Sequence, residues 1–217
     1  MEPEQDQKVP ELKENPRIKW NNLNFPPLLR LVHFDLKELS GITRKACLLL
    51  YIQFLIIFGI ECLNFLSSII QAGAKVTHAN KVYSKLNILF AFLNILIFTT
   101  ITALITYAGY ITMVRRPTDL RNVIKYRIGQ ICMCILFFLV SIIRGGSFDG
   151  WARMYILKTA TPKGAAGFCI FLSRFQNLGY YTAIGCAIYV MSASEKAILE
   201  DVENPQINNG MQMENRA

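Results

Sequence analysis

The chain has 217 residues, of which 53% are hydrophobic and only 18% charged, and its mean hydropathy is +0.31. A soluble domain of this size carries charge on nearer a quarter of its residues; here the apolar residues fall in long blocks, with the charge pushed between them and to the two ends. The net charge of +8 does not point to nucleic acid, because Lys and Arg cluster beside the apolar blocks, where they anchor helix ends and set topology, and no compact basic domain exists to carry such an interface.

Residues 1–24 are polar, charged and Pro-containing, with no apolar run, and are expected to be a disordered cytoplasmic tail. No basic start followed by an apolar stretch marks a cleavable signal, so the first span is expected to direct insertion. Phe25-Pro26-Pro27 then breaks the backbone, and residues 25–45 read as a membrane-surface segment. At 100° per residue, Leu28, Leu29, Leu31, Val32, Leu36 and Leu39 share one arc, while Arg30, His33, Lys37 and Glu38 lie mainly on the other, with Phe34 and Asp35 as misfits. That pattern predicts a short amphipathic interfacial helix. The alternative, an ordinary helix packed on protein, has little soluble protein to pack against.

Residues 46–193 read as a four-helix transmembrane domain, because in hydrocarbon only self-satisfied helices or closed barrels are viable and these blocks are far longer than barrel strands. The spans fall at about 46–70, 86–113, 128–143 and 164–193. Span two contains no formal charge, span three is short, and span four carries Arg174, Gln176 and Asn177. Between spans two and three lies a basic segment, 114–127, with Arg115, Arg116, Arg121, Lys125 and Arg127 against the single acid Asp119. Between spans three and four, 144–163 is a Gly-rich loop with Phe148, Trp151 and Tyr155 as interfacial aromatics. The acidic, polar residues 194–217 are expected to be a second disordered tail. Four spans place both termini and the basic segment on one side, which holds ten Lys/Arg near the membrane against seven on the other, so the termini are expected in the cytoplasm.

No catalytic, cofactor-binding or metal-binding constellation emerges. The two histidines, His33 and His78, lie in different loops on opposite sides, no His/Cys/Asp group has ligand spacing, and no phosphate-binding fingerprint is present. All six cysteines fall within or at the edge of apolar blocks, unlike a disulfide framework or a zinc site; Cys47, after Arg44-Lys45, is a candidate for S-palmitoylation. The costly feature is intramembrane charge. Glu61 and Arg174 lie at matching depth in antiparallel spans, which predicts a structural ion pair; a solute or proton path through Glu61 is the alternative. Asn64, Asn87, Asn94, Thr102 and Asn177 are expected to make interhelical hydrogen bonds. The basic segment is expected to attract anionic phospholipid, a reading that competes with plain positive-inside topology.

Several short motifs in order resemble the secretory carrier membrane protein (SCAMP) family, over most of residues 20–200. Asn24-Phe25-Pro26-Pro27-Leu28 is similar to that family's Asn-Trp/Phe-Pro-Pro-Leu-Pro ahead of span one. Arg116-Pro117 resembles the Arg-Pro between its second and third spans, and Asp149-Gly150-Trp151 its Ser-Gly-Trp after span three. The aromatic and Tyr-Lys residues that follow Arg-Pro in the family are replaced by Thr118-Asp119-Leu120-Arg121, and Asn-Pro-Phe repeats are absent. The resemblance implies a non-enzymatic tetraspan protein of post-Golgi, endosomal or plasma-membrane recycling carriers. Its partners would be the bilayer, anionic phospholipids and trafficking proteins, with homo- or hetero-oligomers left open. A small channel or transporter using Glu61 and Arg174, or a subunit of a larger membrane complex, is the alternative.

Overall fold

The computed structural model describes residues 21–25, 32–39, 41–78, 81–82, 86–115, 120–145 and 148–203. Five α-helices dominate it: α1 (Gly41–Gly73), α2 (Leu86–Val114), α3 (Leu120–Ile142), α4 (Trp151–Thr159) and α5 (Lys163–Glu203). Two antiparallel hairpins punctuate the connections, β1 (Thr77–His78) with β2 (Lys81–Val82), and β3 (Arg144–Gly145) with β4 (Phe148–Asp149).

The four long helices alternate in direction around a ring. α1 packs most extensively on α5 and α2, and α3 closes the ring by packing on both of those. At one end sit the pre-helical segment and the α2–α3 connection. At the other, the two helical connections are stitched together: Thr77 and Thr161 exchange backbone hydrogen bonds of 2.8 and 3.0 Å, and the Thr159 hydroxyl lies 2.9 Å from His78 Nδ1.

The burial pattern is inverted relative to a soluble protein. On α1 the interior stripe runs Leu50, Gln53, Ile57, Glu61, Asn64, Ser68 and Gln71, at the three-to-four-residue spacing of one helix face. The exterior is apolar: Leu86, Leu89, Phe90, Leu96, Ile97 and Leu104 of α2 and Ile124, Ile128, Ile131 and Ile135 of α3 are all exposed. Burying each such side chain is worth about 1.5–3 kcal/mol, which water would withhold and lipid supplies. α1, α2 and α3 are long and apolar enough to cross a membrane. The architecture is helical and compatible with an integral multi-pass membrane protein; α5, although the longest helix, lacks a window of comparable hydropathy.

Several expectations change. The helix expected over 28–39 is not continuous in its described part: Val32 pairs with Phe25 in an antiparallel bridge, residues 33–35 are non-helical, and only Leu36–Glu38 form a single 3-10 turn. The misfit Phe34, together with His33 of the polar arc, explains this. Phe34 and His33 are buried, the Phe34 N–H donates to the Asn24 side chain at 2.7 Å, and the two aromatic rings Phe25 and Phe34 enter a cluster with Phe54 and Tyr110. Burial of those rings outweighs a leucine stripe that would only lie on a surface. The helix that carries the third span begins at Leu120, ahead of the expected span start at 128, so Arg121, Lys125 and Arg127 occupy its first turns, and the buried Val123 and Tyr126 hold that extension against the bundle. The 144–163 loop contains α4, with Met154, Ile156 and Leu157 buried and Tyr155 exposed. α5 continues through 194–203, where a disordered tail was expected. Residues 1–20 and 204–217 of the two expected tails lie outside the described residues.

Candidate functional site: the polar seam between α1 and α5

α5 approaches α1 closely because its inner face is built of small residues. Ala166, Cys169, Ser173, Ala183 and Ala187 are all buried, and a Cβ placed on Gly179 would lie 2.6 Å from Ile60 Cδ1. Small residues at this spacing let two helix backbones meet in lipid, where no hydrophobic drive holds them together. Facing them on α1 is a file of buried polar side chains, Gln53, Glu61, Asn64, Ser67, Ser68 and Gln71.

Most of that file is satisfied. Gln53 and Gln130 of α3 exchange reciprocal amide hydrogen bonds at 3.2 and 3.3 Å across the bundle. Gln71 donates to Ser67 Oγ at 3.0 Å and accepts from Arg153 Nη2 of α4 at 2.8 Å. On α5, Ser173 donates to the Cys169 carbonyl and Asn177 to the Ser173 carbonyl, at 2.9 and 2.7 Å.

Glu61 and Asn64 are the exceptions: neither side-chain polar atom of Asn64 makes a hydrogen bond among the described residues, and Glu61 makes one. Glu61 is fully buried; its Oε1 accepts from the Tyr180 hydroxyl at 2.9 Å, while Oε2 has no hydrogen-bond partner among the described residues. The ion pair with Arg174 is not formed. Arg174 is exposed on the outer face of α5, alongside Phe171, Phe175 and Leu178, whereas Ser173, Gln176, Asn177 and Tyr180 face α1. The register set by Ile60 with Gly179 and Ser67 with Cys169 puts Arg174 about one turn from Glu61, and residue counts along each span say nothing of azimuth. The helical wheel held the missing signal: 171, 174, 175 and 178 form one stripe, and a long Arg on that apolar stripe snorkels toward an interface instead of crossing the helix. Cys47, considered for acylation, is fully buried in the cluster with Leu50, Tyr110 and Val190, so its thiol faces protein.

Protein-family models, curated proteins and solved structures contain no match to this chain. The remaining expected residues are therefore placed by geometry alone. Of the basic segment, Arg115, Arg121 and Lys125 are exposed, Arg127 lies 3.7 Å from Glu195 of α5, and Arg116 is outside the described residues. Of the motif residues, Pro26, Pro27, Leu28 and Pro117 are likewise outside. Asn24 and Phe25 pin the pre-helical segment, with the Phe25 ring 5.4 Å from that of Phe54. Gly150 sits where a Cβ would lie 2.7–2.9 Å from three carbonyl oxygens at the end of α3, and Trp151 Nε1 donates to the Tyr181 hydroxyl at 2.9 Å. Asn64 and Asn177 are buried at the α1–α5 interface, Thr102 is buried on α2, and Asn87 and Asn94 are half-buried.

Proposed function

We propose that the chain is a non-catalytic four-span membrane protein of vesicle traffic, resembling the secretory carrier membrane proteins, with α5 as its fourth span and both termini in the cytoplasm. The observation that carries this reading is where the family-like residues fall. Asn24 and Phe25 lock the segment ahead of α1 to the helix ends, and Gly150 and Trp151 fit the turn between α3 and α4 against the bundle. Residues at joints of this kind specify a fold, and their order along the chain is the order the resemblance requires.

The fourth span is supported by α5 running alongside α1. Cys169 meets Ser67 near one end, Tyr180 meets Glu61 in the middle, and Val190 and Ala193 share a cluster with Ala46 and Leu50 near the other. A helix that follows a membrane-crossing neighbour over that length crosses with it. Arg115, Arg121, Lys125 and Arg127 then lie at the cytoplasmic interface, and each would attract anionic lipid by about 1 kcal/mol. The full chain in nanodiscs should bind soluble phosphoinositide headgroups less tightly as salt rises, because exposed charges are screened; salt-independent binding, or none, would leave these residues as a topology signal.

The trafficking reading is tested by imaging the tagged full chain against endosomal, Golgi and mitochondrial markers. Coincidence with recycling endosomal or post-Golgi carriers is expected, and exclusive mitochondrial or endoplasmic-reticulum signal would overturn it. The buried carboxylate of Glu61, with Oε2 unbonded among the described residues, favours one second reading, a small channel or transporter, in which ion flux in proteoliposomes would be abolished by Glu61→Gln.

A further inference from the structure

Among the described residues, the polar atoms of the α1–α5 seam that lack partners gather at one level. They are Glu61 Oε2, both side-chain polar atoms of Asn64, and Gln176 Nε2. The contacts on either side fix that level: Ile60 meets Gly179 below it, and Ser67 meets Cys169 above it. Asn64 is one turn from Glu61 and close enough to act on its carboxylate, but neither of its polar atoms makes a bond of hydrogen-bond geometry. All of these side chains are at least 98% buried, and Tyr180 is 4% exposed.

An orphaned buried polar atom costs about 1–3 kcal/mol, so several at one level, in a seam satisfied elsewhere, mark a site built around something other than protein. We propose that Glu61, Asn64, Gln176, Asn177 and Tyr180 form an intramembrane binding site for one small monovalent metal cation of the sodium class.

The donor set selects the ligand. Glu61 Oε2 and Asn64 Oδ1 are hard oxygen donors suited to hard cations, as are the Asn177 and Tyr180 oxygens, whereas the Gln176 amide, whose unbonded atom is its nitrogen, serves only through its oxygen after a flip of the terminal amide. The site offers one negative charge. The groups acting on the Glu61 carboxylate are Tyr180 and Asn64; no charged side chain of α2, α3, α4 or α5 among the described residues acts on it, and Arg174 points outward. The nearest basic group along the seam is Arg153 at Gln71, ten residues or about 15 Å of helix rise away. A single positive charge neutralises the site, whereas a divalent ion would leave a net charge deep in the protein, which is costly. The proposal concerns binding, needs no flux, and stands whether or not the chain serves traffic.

The experiment is thermal unfolding of the purified full chain in nanodiscs, in sodium chloride against choline chloride at constant ionic strength, at several pH values. A ligand that binds only the folded state raises the melting temperature with its concentration. The expected result is a saturable rise in sodium with no counterpart in choline, and a sodium midpoint that moves to higher concentration as pH falls, because a proton competes for Glu61. Glu61→Gln should lose the sodium response and Arg174→Gln should keep it. If Glu61→Gln does not fold, Asn64→Ala and Tyr180→Phe retain the carboxylate and should raise the sodium midpoint about tenfold, one lost ligand being worth on the order of 1.4 kcal/mol. Equal melting in sodium and choline at every pH would overturn the proposal. A pH response without a sodium response would mean that Glu61 carries only a proton and would equally overturn it, as would an undiminished sodium response in Glu61→Gln.

Discussion

α2 and α5 flank α1 on either side, and they meet it with opposite chemistry. α2 has no formal charge from Leu86 to Val114 and exposes leucine, isoleucine and phenylalanine on most of its surface. α5 carries an arginine, a glutamine and an asparagine in mid-helix, yet buries a nearly unbroken inner face of small and polar residues. The more apolar helix is the less embedded in protein. Hydropathy measures what a helix offers to lipid, and a helix whose length is occupied by another helix can afford to be polar on the occupied side. This is why α5, packed on α1, α3 and α4, lacks the apolar window that the other three long helices possess.

The comparison can be broken most forcefully on α5. Gly179→Leu would drive a side chain into Ile60, whose Cδ1 already lies 2.6 Å from the position of a Cβ. Overpacking of this kind should cost about 3 kcal/mol or more, seen as loss of monodisperse protein after solubilisation. The milder Gly179→Ala should be largely rescued by Ile60→Ala, and failure of that rescue would mean that the contact does not set the helix separation.

The seam's hydrogen bonds should come next. Gln53→Leu strands the Gln130 amide and should cost about 1–3 kcal/mol, while Gln53→Leu with Gln130→Leu should recover much of it, since replacing both partners leaves no orphan. A double-mutant cycle on melting temperature measures the coupling; purely additive losses would remove the pair from the account.

The smallest effects belong to the outer surface. Leu104 is 63% exposed on α2, and Leu104→Ala in a bilayer should change stability by no more than about 0.5 kcal/mol. Arg174→Gln should behave the same way, and its effect should simply add to that of Glu61→Gln. A coupling above about 1 kcal/mol between those two would restore the ion pair that the geometry of α5 excludes.

How far the sequence reached follows the same physics. The charge-free block at 86–113 marks α2 almost to the residue, because apolar run and helix end together where Arg115 begins. At α3 the two part company: hydropathy stops at the interface near 128, but the helix continues outward through Arg127, Lys125 and Arg121 to Leu120. α4 escaped because nine residues are too few for a hydropathy window, although Met154 and Leu157, three apart and both buried, carry its signal. The pre-helical segment departs from a helix because a wheel counts leucines and ignores rings: the Phe25 and Phe34 rings are buried against Phe54 and Tyr110, and His33, placed on the polar arc, is buried too. Glu61 stands out in the sequence as a charge within an apolar block, and it is fully buried. Its α5 neighbours do not stand out, because which α5 residues face it depends on the register between two helices far apart in sequence.

The proposal on which the rest depends is that α5 crosses the membrane antiparallel to α1. Protease added to sealed vesicles carrying the full chain, tagged at each terminus, tests it most directly. Four crossings predict that both tags are removed from the cytoplasmic face without detergent; a C-terminal tag protected until detergent is added, with the N-terminal tag removed, would mean three crossings and would contradict the account.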